Sequence, residues 1–132
     1  MMGMSRSTLM ARVRRKHTEP ELAVRRLLCA HGYRYRLHCP DLPGTPDIVF
    51  RRRKKVIFVH GCFWHRHRGC RFASTPASRQ SFWSAKFKAN VRRDRQKQKE
   101  LEANGWSVLT VWGCETRETS RLLRKLKQFL GT

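Results

Sequence analysis

The order of elements along the chain predicts an α/β fold, with helices covering a mixed central sheet. Two observations carry that expectation. Apolar runs of strand length alternate with segments of helical spacing in the order helix, three strands, long helix, strand, helix. The 132 residues, of which 39% are hydrophobic and 30% charged, suffice for one packed core but not for two.

Residues 1–17 are basic and lack a sustained apolar face, so an amino-terminal arm is expected there, with 18–132 as a single domain. The first helix opens at Thr18-Glu19-Pro20-Glu21, where Thr18 can cap the amides, Glu21 can reach back to it, and proline is tolerated. Val24, Leu27, Leu28 and His31 keep a helical period, and Gly32 ends it. Residues 33–38 read as a strand and Pro40-Asp41-Leu42-Pro43-Gly44 as a turn. Pro46-Asp47 opens a second strand, Ile48-Val49-Phe50, and a basic loop leads to a third over 56–59. Cysteines and histidines crowd 60–72, and 73–79 is a Ser, Thr and Pro loop. A long basic helix is expected over 80–104, closed by Gly105, then a fourth strand over 106–112 and a last helix over 116–130.

Thirty Lys and Arg against nine Asp and Glu leave a formal charge of +21, which points to a polyanion and above all to nucleic acid. A polybasic protein of a membrane surface would carry an amphipathic anchor or a lipidation signal, and the sequence shows neither. The longest apolar run, 56–59, is far too short to cross a bilayer, and the first residues lack the apolar core of a secretory signal. A cytoplasmic protein with no membrane partner is the expectation. Five cysteines, an odd number, then read as metal ligands or buried thiols rather than disulfides.

Asp47 is one of only three aspartates and stands at the mouth of an apolar strand, where a carboxylate needs a compensating partner. It either caps a turn or pairs with a cation, or it is a magnesium ligand, since hard cations take one or two carboxylates beside phosphate oxygens. Cys62, His67 and Cys70 have the C-x4-H-x2-C spacing of a compact zinc loop. A fourth ligand is missing from it, and Cys114, just after the fourth strand, is the candidate by elimination. The alternatives are a set of buried or reactive thiols, or His65 in place of His67. Cys29 and Cys39 read as packing residues.

His60 and His65 flank the metal loop, and neutral imidazole suits proton transfer near pH 7. They are spare surface histidines, or one activates water while the other assists the departing oxygen in phosphodiester hydrolysis. Glu21 is a capping-box residue, an acid orienting water on magnesium, or both. Phe63-Trp64 interrupts a polar, cationic loop, either as core packing or as an apolar pair able to wedge between bases, where a mismatched step opens at less cost than a matched one. The long helix supplies Lys86, Lys88, Asn90, Arg92, Arg93 and Arg95, as a solvated face or as phosphate contacts, with Asn90 able to read a base edge.

The set Pro43-Gly44-Thr45-Pro46-Asp47-Ile48, then VIFVHGCFWH from Val56 to His65, then Phe82-Trp83, Asn90-Val91, Asp94 and Val111-Trp112-Gly113-Cys114 resembles the very-short-patch-repair mismatch endonucleases over nearly the whole chain. The resemblance implies a three-layer α/β/α restriction-endonuclease-like fold with a structural zinc site. It implies nicking of one strand on the 5′ side of a thymine mispaired with guanine, the lesion left when 5-methylcytosine deaminates. Asp47 would be the main ligand of a catalytic magnesium, joined by the backbone carbonyl of Val59, with Glu21 holding metal-bound water. His65 would be the general base and His60 its partner at the scissile phosphate. Cys62, His67, Cys70 and Cys114 would bind zinc. Met10, Phe63, Trp64 and Trp83 would enter the stack beside the mismatch, while Lys86 and Asn90 face base edges.

The partner so implied is double-stranded DNA carrying a mismatch, with other mismatch-repair proteins cooperating, and a monomer suffices for a single nick. Two departures stand out. Phe58 and His60 occupy places where the wider nuclease superfamily has an acid and a lysine, and Val59 replaces a threonine of some relatives. A zinc-stabilised module that binds damaged DNA without cutting is the competing reading, with a nuclease of the same fold acting on other mismatches or on a restriction-type sequence as a third.

Overall fold

A computed structural model describes residues 18–62, 65, 67, 70 and 80–131. The expected arm over 1–17, with Met10, and the Phe63-Trp64 pair lie outside these residues.

Helix α1, Glu19–Ala30, starts as its sequence requires: Thr18 Oγ1 accepts from the Glu21 amide at 3.4 Å and Pro20 sits in the first turn. It ends before Gly32, which takes a left-handed φ of 80°. Strand β1 is only Arg36–Leu37 instead of the six residues expected. The Tyr33 amide is still bonded to the Leu28 carbonyl of α1 at 3.0 Å, and His38 turns to a φ of 45°, which breaks the extended run. Strand β2, Ile48–Phe50, and strand β3, Lys55–His60, follow at the expected places. Helix α2 spans Gln80–Ala103 and strand β4 Ser107–Trp112. The last helical stretch is divided: a 3-10 turn over Gly113–Arg117, then α3 over Thr119–Leu130.

The four strands lie in the order β1-β2-β3-β4. β1 and β2 are antiparallel, as are β2 and β3, whereas β3 and β4 run parallel, with Val59 opposite Val111 and His60 opposite Trp112. A parallel pair cannot be joined by a tight turn, and α2 lies within the connection between its two strands. The sheet is mixed, as expected.

Alternation along the strands sends side chains to two cores. Ile48, Phe50, Ile57 and Val111 pack with Val24 and Leu28 of α1 and Leu122, Leu126 and Leu130 of α3. Val49 and Val56 pack with Leu101 of α2 and with Cys39. Burying each of these aliphatic side chains is worth about 1.5–3 kcal/mol. Helices thus cover both faces, and the ends of β2 and β3 are left for polar groups. Among the described residues no helix is long and apolar enough to cross a membrane.

Candidate active site and metal centre

Asp47 stands at the entry to β2, between two neighbours brought by the fold. The β1–β2 pairing continues by one bond, the His38 amide donating to the Asp47 carbonyl at 3.1 Å, so the His38 side chain arrives beside the Asp47 carboxylate. Its Nε2 lies 2.9 Å from Glu21 Oε2 and 4.0 Å from Asp47 Oδ1. Glu21, on the buried face of α1 and 1% exposed, also contacts Arg25 at 3.3 Å. The carboxylate that the capping pattern would turn back to Thr18 therefore reaches toward Asp47 and His38, while Thr18 still caps the helix.

Asp47 Oδ2 accepts from the Val59 amide at 2.8 Å. Within a strand the N–H and C=O of one residue point to the same edge, which puts the Val59 carbonyl on the Asp47 side of β3. Burial pushes the Asp47 carboxyl up to about 6, helped by Glu21 and opposed by the Val59 amide, His38 and His65. Two carboxylates with an imidazole and a strand carbonyl suit a divalent cation, which would relieve the repulsion between them. Glu21, His38 and Asp47 each offer a donor atom, all within 4.8 Å of one another.

A second trio lies at the end of β3. His60, its last residue, stacks on His65 with ring centroids 3.9 Å apart and planes 7° from parallel. His65 Nδ1 and Asp94 Oδ2 are 2.6 Å apart, a charge-assisted hydrogen bond in reach only because Asp94 shares the inward stripe of α2 with Phe87 and Leu101. That bond fixes the ring and leaves Nε2 for chemistry. Burial, followed by the neighbouring His65, lowers His60 to about 4, partly offset by Asp94, so His60 works as a neutral imidazole.

The third group is the thiol cluster. Cys62, His67, Cys70 and Cys114 place one donor atom each within 4.8 Å of the others. His67 Nδ1 is 3.7 Å from Cys62 Sγ and 3.4 Å from Cys114 Sγ. Tetrahedral zinc with bonds of about 2.3 Å to sulfur and about 2.0 Å to nitrogen separates its donors by roughly 3.5–3.8 Å, so the donor set is compatible with zinc. Burial and the nearby Cys62 and Cys70 push the Cys114 thiol up to about 12, a crowding that thiolate–cation bonds would relieve. The alternative of His65 in place of His67 is not what the fold builds, because His65 is engaged with Asp94 and His60. Trp112 connects the groups: it stacks on His67 at 4.4 Å and meets His60 edge-on at 5.4 Å.

Of the residues expected to face DNA, Lys86 and Asn90 lie on α2, exposed and half-buried respectively. Trp83 is 7% exposed and stacks on Phe87, whereas its neighbour Phe82 is the exposed member of the pair at 41%. Cys39 belongs to the core as expected, but Cys29 is exposed beside the Tyr35 hydroxyl.

Two site residues, Asp94 and His38, have roles that the sequence alone does not reveal. Asp94 was visible only as part of a motif, although an acid on the apolar stripe of a basic helix was a signal. By sequence His38 is the end of a strand; only the pairing with β2 sets it opposite Asp47.

The family described as DNA mismatch endonuclease Vsr matches residues 3–71, just over half of the chain. The type II nicking enzyme V.XorIIP of Xanthomonas oryzae pv. oryzae is 54% identical over 125 residues, 95% of this chain and 91% of that protein. The type II nicking enzyme V.NmeAIP of Neisseria meningitidis is 39% identical over 92% of this chain and 91% of its own length. The DNA mismatch endonuclease Vsr of Escherichia coli is 40% identical over 89% of this chain and 75% of its own length. On similarity of this extent, this chain belongs to the Vsr family of DNA mismatch endonucleases and type II nicking enzymes.

Proposed function

We propose that this protein is a magnesium-dependent endonuclease that nicks one strand of duplex DNA on the 5′ side of a thymine mispaired with guanine, initiating very-short-patch repair. One observation carries the reading: Asp47 with Glu21 and His38, and His65 with His60 and Asp94, converge from five elements and loops, near enough that His65 lowers the proton affinity of Asp47. Binding DNA alone gives no reason to gather three carboxylates and three imidazoles, one of them charge-paired, at one place. Family membership supports the same chemistry.

Asp47 and the Val59 carbonyl would hold magnesium, which would supply charge beside the scissile phosphate and a more acidic water. Glu21 would orient that water by hydrogen bonding. His65, held by Asp94, would take the proton of the attacking water as general base. Neutral His60 would donate a hydrogen bond at the phosphate without adding a competing cation. Zinc on Cys62, His67, Cys70 and Cys114 would hold the loop between β3 and α2 in place. Met10, Phe63 and Trp64 would wedge into the mispaired step. Trp83 would join them only by turning out of its packing on Phe87. Lys86 and Asn90 would reach base edges. The helix-covered mixed sheet fits the restriction-endonuclease-like fold, with 18–132 as the endonuclease domain and 1–17 as a basic arm. One nick needs one active site, so a monomer would suffice.

The test uses labelled duplexes carrying each mispair in turn, incubated with magnesium, with any break mapped to the nucleotide. T:G duplexes are expected to be cut 5′ of the thymine, and Asp47→Ala to abolish the cut while duplex binding stays within a few-fold. Cleavage retained in Asp47→Ala would remove this residue from the site. Tight binding with no break in any duplex would leave a zinc-stabilised binding module.

A further inference from the structure

Magnesium prefers a shell made wholly of oxygen, yet the pocket at Asp47 is not made wholly of oxygen. His38 fills one side of it. The imidazole is buried, with its side chain 9% exposed, and Nε2 points between Glu21 Oε2 at 2.9 Å and Asp47 Oδ1 at 4.0 Å. The backbone keeps it there at a cost. His38 takes a φ of 45°, a conformation that side chains other than glycine rarely adopt, and strain of this kind persists where surrounding contacts over-determine it. Here the contact is the His38 amide on the Asp47 carbonyl, 3.1 Å, which locks the two residues into one unit. A histidine whose only duty was to neutralise Glu21 would duplicate Arg25, already 3.3 Å from the same carboxylate oxygen.

We propose that His38 is a direct ligand of the catalytic cation and brings Glu21 from its water-orienting role into the same shell, so that the site is a Glu21–His38–Asp47 trio which binds manganese or cobalt more tightly than magnesium. The three donor atoms lie within 4.8 Å of one another, as ligands of one ion must. Imidazole is a borderline-soft donor suited to later first-row ions, and affinity rises along that series from manganese upward, whereas magnesium gains little from nitrogen. An imidazole flanked by two carboxylates with open positions is a donor set typical of first-row transition ions. This rests on the nuclease reading only for the word catalytic; the donor set stands whether or not the chain cuts DNA.

The experiment is a titration of the full-length, zinc-loaded protein with Mn²⁺, read by electron paramagnetic resonance, with nitrogen coupling to the bound ion measured by electron spin-echo modulation. Mn²⁺ and Mg²⁺ affinities are measured in parallel by calorimetry. The variant is His38→Asn, because asparagine tolerates positive φ and removes the imidazole without adding backbone strain. The wild type is expected to show ¹⁴N coupling and at least about tenfold tighter binding of Mn²⁺ than of Mg²⁺. His38→Asn is expected to lose the coupling and about tenfold in Mn²⁺ affinity while Mg²⁺ affinity changes by less than about threefold. Absence of nitrogen coupling in the wild type, or coupling that persists in His38→Asn, overturns the proposal. If His38→Asn loses its circular-dichroism signature, the His60→Gln/His65→Gln double variant decides, since coupling must survive there if His38 is the ligand, and its loss overturns the idea. Mispair nicking is assayed separately: nitrogen coupling without nicking would sink the nuclease reading alone, and nicking without coupling would sink His38 alone.

Discussion

Asp94 touches His65 through one short bond, yet the whole orientation of the proposed base depends on it. Asp94→Asn keeps the shape but removes the charge and permits the wrong ring tautomer, so nicking is expected to fall by roughly 10²–10⁴-fold with duplex affinity unchanged. A loss confined to binding would instead make Asp94 a contact for the α2 surface. Asp47 carries a different consequence. Its carboxyl is raised to about 6 from an ordinary 3.8, so the folded state binds the proton more tightly than the unfolded state does. That preference adds stability below about pH 4 and is lost as the pH rises through about 6, a change of about 3 kcal/mol at most. In magnesium-free buffer at pH 7.5 Asp47→Asn is expected to melt above the wild type, with the advantage fading toward pH 4. Equal melting temperatures across that range would contradict a buried, proton-retaining Asp47.

At the scale of elements, two junctions hold the site. The turn before β2 needs Gly44, which has a φ of 77° and whose missing side chain leaves room for α2: an added Cβ would meet Lys97 Cβ at 2.9 Å and the Phe58 ring at 3.2 Å. Gly44→Ala is expected to cost about 1–3 kcal/mol and to lower the melting temperature by several degrees, because strain and overpacking act together. An unchanged melting curve would mean that α2 yields freely there. The second junction is the thiol cluster, which ties the segment after β3 to the turn after β4. Cys114 donates its amide to Cys62 Sγ at 3.4 Å, across 52 positions of chain. Cys114→Ala is expected to lose the one zinc proposed for this cluster, and through Trp112 to disorder the His60–His65 stack, so nicking should fall without recovery at high magnesium. One zinc retained by Cys114→Ala, measured by atomic emission, would exclude Cys114 as a ligand.

For the whole molecule, the excess of cations sets how it meets its substrate. A charge of +21 on 132 residues exceeds what folding requires, and it predicts binding dominated by displaced counterions. If six or more phosphates are neutralised, duplex affinity is expected to fall by about a thousandfold or more between 50 and 200 mM salt. Discrimination between mispaired and paired duplex should depend on salt far less, because phosphate contacts do not read the bases. A shallow salt dependence would mean that most of the thirty Lys and Arg never approach the backbone of DNA.

The sequence by itself determined the order of most elements and the candidate ligands of the thiol loop, because these follow from short-range signals, whereas roles for Asp47, Glu21, His60 and His65 came from the family resemblance. Apolar periodicity places β2, β3 and β4, glycine places the turns at 32, 44 and 105, and Cys62, His67 and Cys70 declare themselves by spacing within nine residues. Partnership between distant residues was decided only by tertiary structure. Cys114 joins the thiols because β3 and β4 pair in parallel, Asp94 meets His65 because α2 turns its apolar stripe inward, and His38 meets Asp47 because β1 pairs with β2. The physical reason is the same in each case: strand register and helix rotation are settled by burying the most apolar area at once, a property of the assembled core that no local stretch of chain contains.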